Sequence, residues 1–333
     1  MASMPAALGA LDQMRSWMLR RLGRSGRRYL GDRGARVALY GAVSISGALA
    51  FTAAFPLWLL GLGPIVLGVP HLLADVRYLV ARQQLHRRAG FWPLMAAPLA
   101  LMVVYPHACT ALVPALGAAI LARAGWLRRG IAVALTLGLA LLAMAVGRSA
   151  DLVLAHAHNI LAVGLWWAWR RGPVARRWIP LALFAIGVAL ILGGAFDPIA
   201  RTALGRFGPG VTLREMVETL SPVGGERWGA RFVLFFAFAQ SVHYAVWLRL
   251  VPEEDRPRPG LRSFAHSFRA LRADVGWYVP LLGALLMVAL LLGACVNPGV
   301  ARNAYLQMAL FHGPLELAVV CWLLVEKRSL WTA

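Results

Sequence analysis

Charge is scarce in this chain, and one kind of charge is almost missing. Only 14% of the 333 residues are charged, where a soluble domain of this size keeps about a quarter. Lysine occurs once, at Lys327, so the formal charge of +20 is arginine charge. The low charge, with 60% hydrophobic residues and a mean hydropathy of +0.65, excludes a soluble globular domain and implies a polytopic membrane protein. Cysteine is equally sparse. Cys109, Cys295 and Cys321 lie in or beside apolar runs and form no CxxC, so they read as small core residues. There is no soluble domain, no low-complexity tract and no internal repeat.

The arginines sit in short segments between apolar runs, at 15–36, 77–88, 123–129, 170–177 and 249–272, with Lys327 and Arg328 closing the series. That is the positive-inside pattern. It argues against nucleic acid and for anionic lipid headgroups as the counter-charge. Residues 1–35 lack a short apolar core followed by a small-residue cleavage site, so no cleavable signal is expected. Asp12 to Leu22 has the makings of a basic surface helix, within a tail that fixes orientation.

A helical span needs about 20 apolar residues. Ten candidates follow, at roughly 37–60, 63–81, 91–107, 108–123, 130–147, 152–169, 178–198, 229–249, 276–296 and 304–325. Pro98, Pro106 and Pro114 interrupt the third and fourth, which read as one kinked span in a nine-span alternative. With ten spans every basic cluster faces the cytoplasm; with nine, half do not. The expectation is an all-α polytopic bundle of about ten spans with both termini cytoplasmic, in a bacterial-type inner membrane. Its parts are a basic tail at 1–36, one transmembrane domain at 37–326 and a short tail at 327–333. The domain includes an outer loop at 199–228 and a cytosolic loop at 250–275, which opens with the proline-rich connector "PEEDRPRPGLR".

Four apolar spans carry polar residues at helical spacing, where a charge is expensive. The second has His71 and Asp75, and the tenth has His312 and Glu316. Each is an i, i+4 pair on one face. The eighth has Gln240, His243 and Tyr244; the sixth has His156, His158 and Asn159. His156 and His158 point about 200° apart, so one of them serves a common site; Asn159, three residues on, favours His156 and leaves His158 the weaker candidate. His86, His107 and His266 lie in basic segments or at a membrane edge and read as solvated.

Imidazole ligates zinc, copper, iron and nickel, and histidine with carboxylate suits non-haem iron. The candidate ligands are His71, His156, His243 and His312. Asn159, Gln240 and Tyr244 are supporting residues, and Asp75 and Glu316 are orienting partners or ligands themselves. The same residue types suit a proton-coupled transporter. Haem on two histidines, without a CxxCH, and a structural subunit are further alternatives.

The string Gly68-Val69-Pro70-His71-x-x-x-Asp75 resembles the Gly-Ile-Pro-His-x-x-x-Asp signature of the Brp/Blh family. Those multi-span membrane proteins cleave β-carotene to retinal with iron held by histidines. The resemblance implies Fe2+ on His71, with Asp75 as its acidic companion, and an apolar substrate of carotenoid type. Leu72 stands where the family commonly has glycine, and Trp247 rather than a second histidine follows four residues after His243. The HxxxH and HxxHH boxes of membrane desaturases and hydroxylases are absent. Trp166, Trp167, Tyr244 and Trp247 are the aromatics near the histidines that could line a polyene channel.

Overall fold

The computed structural model describes residues 3–21, 23–168, 176–199, 208–223, 225–256 and 259–328; among these the chain is helical, with no strand. In chain order the helices are α1 (Ser3–Arg21), α2 (Gly23–Gly31), α3 (Arg33–Ala54), α4 (Pro56–Asp75), α5 (Ala97–Leu101), α6 (Ala108–Leu121), α7 (Trp126–Val146) and α8 (Arg148–Ala168). Then follow α9 (Trp178–Leu192), α10 (Leu213–Leu220), α11 (Glu226–Ala245), α12 (Val251–Glu254), α13 (Phe264–Val275), α14 (Tyr278–Val296), α15 (Pro298–Ala309) and α16 (His312–Glu326). The π-helical stretches Val76–Ala81 and Val246–Leu250 continue α4 and α11, and a third, Trp92–Ala96, leads into α5.

Six stretches are long and apolar enough to cross a membrane: Arg33–Ala54, Pro56–Ala81, Trp126–Val146, Glu226–Glu254, Tyr278–Val296 and Pro298–Glu326. Those containing α7 and α14 are only 11% buried. Helices apolar on every side and packed on so little of it are flanks that face lipid. The core lies between them, where α3, α4, α8, α11 and α16 meet around Leu60, Trp166, Phe238, Trp247 and Trp322.

Several boundaries differ from the sequence expectation. The connection expected at 61–62 falls inside α4; the chain breaks instead at Phe55, because Pro56 takes the first helical position, where its missing N–H costs nothing. Pro64 then sits within α4 and leaves the Leu60 carbonyl without its i+4 donor. Arg302 Nε supplies the hydrogen bond at 2.8 Å, tying α15 to α4. The expected tenth span is also broken, with a turn at Leu310–Phe311 between α15 and α16.

Residues 91–123 form a hairpin. Arg88 Nη1 reaches Glu326 Oε1 at 2.8 Å on the way out, and the Arg123 N–H donates to the same oxygen at 2.7 Å on return. The two arms pack backbone to side, since a Cβ on Gly117 would lie 1.9 Å from the Leu94 carbonyl oxygen.

One end of the bundle gathers the basic clusters into ion pairs: Arg36–Glu253 and Arg177–Glu254 at 2.7 Å, Arg82–Asp255 at 2.8 Å and Arg77–Asp274 at 2.7 Å. Glu253 and Glu254 are fully buried. The proline-rich connector therefore begins as α12, turned inward, because buried arginines need carboxylates beside them. At the opposite end, the described part of the expected outer loop, 208–223, is packed rather than open. It carries α10, whose Met216 is buried and accepts a contact from Arg302 Nη2 at 3.6 Å. The N-terminal α1 is also docked: Asp12 accepts from the Phe264 N–H at 2.9 Å at the start of α13.

Candidate metal centre

Four helices bring imidazoles together: α4 with His71, α8 with His158, α11 with His243 and α16 with His312. The ring centroids of His71 and His243 are 4.6 Å apart, and those of His71 and His312 are 5.1 Å apart. His158 stands 5.2 Å from His243 and 5.1 Å from His312. His71, His243, Asp75 and Glu316 are buried, whereas His158 and His312 are half-buried. At about 1.5 Å of rise per residue, His71 lies about 15 Å from the end of its span at Ala81, and His243 the same distance from Glu253. His158 is about 15 Å from either end of α8. Each lies in the middle part of its helical stretch rather than at an end.

The local backbone is unusual where the donors sit. α4 passes into its π stretch directly after Asp75, and α11 does so two residues after His243. Such i→i+5 segments recur at functional sites because they re-aim neighbouring side chains. α16 begins at His312 itself. The His312 Nδ1 faces the Ala309 carbonyl at 2.5 Å; a carbonyl only accepts, so Nδ1 carries the proton and a neutral ring keeps its lone pair on Nε2.

The Nε2 atoms of His71 and His243 are 3.0 Å apart. Two nitrogens bound at right angles to one ion, each at about 2.1 Å, stand about 3 Å apart. Asp75 Oδ2 is 3.2 Å from His71 Nε2, and Glu316 Oε1 is 3.5 Å from His243 Nε2. His71, His243 and His312 form one set, and His71, Asp75 and Glu316 another, in which the ligand atoms lie within 4.8 Å of each other. Buried polar atoms are almost always hydrogen-bonded. Here both Asp75 oxygens, Glu316 Oε2 and the Nδ1 atoms of His71 and His243 have no hydrogen-bond partner. A cation among them would satisfy the three carboxylate oxygens that no protein donor reaches, both of Asp75 and Oε2 of Glu316. The donor set, nitrogen and oxygen without sulfur, fits iron.

The preference for His156 over His158 is corrected by this arrangement. His156 faces the other side of α8, where Nε2 meets the Leu220 carbonyl at 2.8 Å and the ring stacks on Phe235 at 5.4 Å. It anchors the C-terminal end of α10. Asn159, which favoured His156, donates to Ala155 in its own helix at 3.3 Å. Gln240 is half-buried and makes no hydrogen bond with the histidines. Tyr244 stands 5.4 Å from His71, ring to ring. Trp247, expected as a channel wall or packing, donates Nε1–H to Glu316 Oε1 at 2.7 Å and fixes that carboxylate. Its place four residues after His243 was the available signal. Trp166 is buried packing, and Trp167 packs on Trp178 at 4.6 Å.

Comparison with protein-family models, with curated proteins and with solved structures finds no match to the chain.

Proposed function

We propose that this protein is a membrane-embedded non-haem iron oxygenase acting on a long apolar substrate, with oxidative cleavage of a carotenoid as the first candidate reaction. The observation that carries it is the convergence of four imidazoles and two carboxylates at mid-depth, with two Nε2 atoms 3.0 Å apart. Iron held by His71, His158, His243 and His312 would supply the redox chemistry that activates dioxygen toward an alkene. Asp75 and Glu316 lie against the ligand nitrogens, and Trp247 holds Glu316 in place. Ala309 orients His312 through its carbonyl. The less buried side of the centre, at His158 and His312, gives a lipid-dissolved substrate its approach. The packed core on the other side keeps water from the reacting atoms.

A proton-coupled carrier uses the same residue types, but a relay strings them along the transport axis. Here the donors share one depth, which favours a coordination centre. In the same reading the basic end faces the cytoplasm of a bacterial-type inner membrane. The chain then crosses ten times, the 91–123 hairpin counting as two crossings, with both termini inside.

The test is purification in mild detergent with metal analysis, combined with expression in a β-carotene-producing host. Near-stoichiometric iron with bleaching and retinal supports the proposal. Iron without a colour change discards the carotenoid and keeps the oxygenase. Metal-free protein that is folded and active removes both.

A further inference from the structure

At the basic end, below the π stretch of α4, lies a cavity of about 530 Å³ lined by Arg82, His86, Arg87, Arg88, Arg123 and Arg328, with Asp274 the one carboxylate in its wall. Three of the guanidiniums, those of Arg82, Arg88 and Arg328, are held in place. Arg88 binds Glu326 at 2.8 Å and lies over the Trp322 ring at 4.8 Å. Arg328 stacks on the same ring at 5.0 Å. Arg82 is held by Asp255 at 2.8 Å and Asp274 at 3.5 Å. Arg87 and Arg123 are exposed, and neither side chain faces a carboxylate among the described residues. Gln84, held left-handed at φ 55° with its amide donating to the Ala81 carbonyl at 3.0 Å, turns the chain so that His86, Arg87 and Arg88 enter the wall.

The geometry points to a binding site for a phosphate-bearing anion. Guanidiniums match phosphate oxygens in charge and in donor geometry, Arg87 and Arg123 are left free to bind one beside the held arginines, and basic pockets at this level of a membrane bundle receive phospholipid headgroups. Three and four residues after Arg123, outside the cavity lining, Trp126 and Leu127 are 83% and 59% exposed and offer an apolar surface to acyl chains. Free phosphate is the other source of the same chemistry.

Full-length protein in detergent is offered phosphatidylglycerol, phosphatidylcholine or inorganic phosphate, and bound species are counted by native mass spectrometry with a titration of affinity. Wild type retains phosphatidylglycerol over phosphatidylcholine. The double variant Arg87→Gln/Arg123→Gln loses about 10-fold or more of that affinity, while Arg87→Lys/Arg123→Lys keeps most of it. Displacement of the lipid by millimolar inorganic phosphate assigns the site to free phosphate as well; no displacement assigns it to the lipid. An unchanged melting temperature and metal content in the variants show that the fold and the centre are intact. Equal retention of both lipids with no phosphate binding, or undiminished binding in the glutamine variant, overturns the site.

Discussion

His71 Nε2 and His243 Nε2 face each other across 3.0 Å, though 172 residues separate them in the chain. A cation in that space would serve both nitrogens and the carboxylate oxygens that have no hydrogen-bond partner.

The first prediction separates the two histidines of α8. His71→Ala, His158→Ala, His243→Ala and His312→Ala each remove most of the bound metal, and His156→Ala retains it, as read by metal-to-protein ratio after purification. Loss in His156→Ala equal to that in His158→Ala would return the site to the other face of the helix.

The carboxylates are graded by isosteric change. Asp75→Asn and Glu316→Gln keep an acceptor oxygen and lower metal affinity about 10- to 100-fold, the usual cost of an orienting partner. Trp247→Phe, which frees Glu316 Oε1, lies in the same range. Complete loss of metal in the carboxylate variants, as in the histidine variants, identifies them as direct ligands. Metal titration of each purified variant distinguishes the cases.

Gly68 admits a neighbour that no other residue would. A Cβ there would lie 2.1 Å from Tyr305 Cζ, and Tyr305 is 1% exposed. Gly68→Ala therefore destabilises the fold by about 1–3 kcal/mol through overpacking, and Tyr305→Leu in the same chain restores part of it. A thermal melt of the single and double variants reads this; no change in the single variant contradicts the contact.

Asp32 caps α3, accepting from the Ala35 N–H at 3.0 Å, and pairs with Arg176. The Ala35 N–H, and then Arg176, hold its carboxyl below the usual 3.8. A depressed folded-state value means stability that is present above the unfolded value and lost as pH falls through the folded one. Asp32→Ala costs about 0.5–2 kcal/mol at neutral pH, and the gap from wild type narrows as acid protonates the Asp32 carboxylate, at a pH below the usual 3.8. A gap that stays constant through the acid limb of the stability profile contradicts the assignment.

Part of the centre was legible because the membrane makes polarity conspicuous: His71, Asp75, His243, His312 and Glu316 stand out in apolar runs. The 3.6-residue period placed each carboxylate on its histidine's side, although Glu316 proves to lie against His243. The choice within "LAHAHN" was not legible. A helical wheel shows that His156 and His158 diverge, and only the packing of α8 on α11 and α16 decides which of them turns inward. The all-α bundle followed from hydropathy. The burial of Glu253 and Glu254 did not, because it depends on arginines distant in the chain, whereas the break at Phe55 had a local signal in Pro56.

The interrupted last helix has a consequence for synthesis. The donors leave the ribosome in the order His71, His158, His243 and His312, and the final imidazole arrives together with Glu316 on α16. Until that half-helix is seated, Trp247 has no carboxylate to hold and His243 lacks its acidic neighbour. If the centre holds a metal as proposed, its loading would wait for α16, and a chain truncated before α16 would carry His71, His158 and His243 without His312 and Glu316.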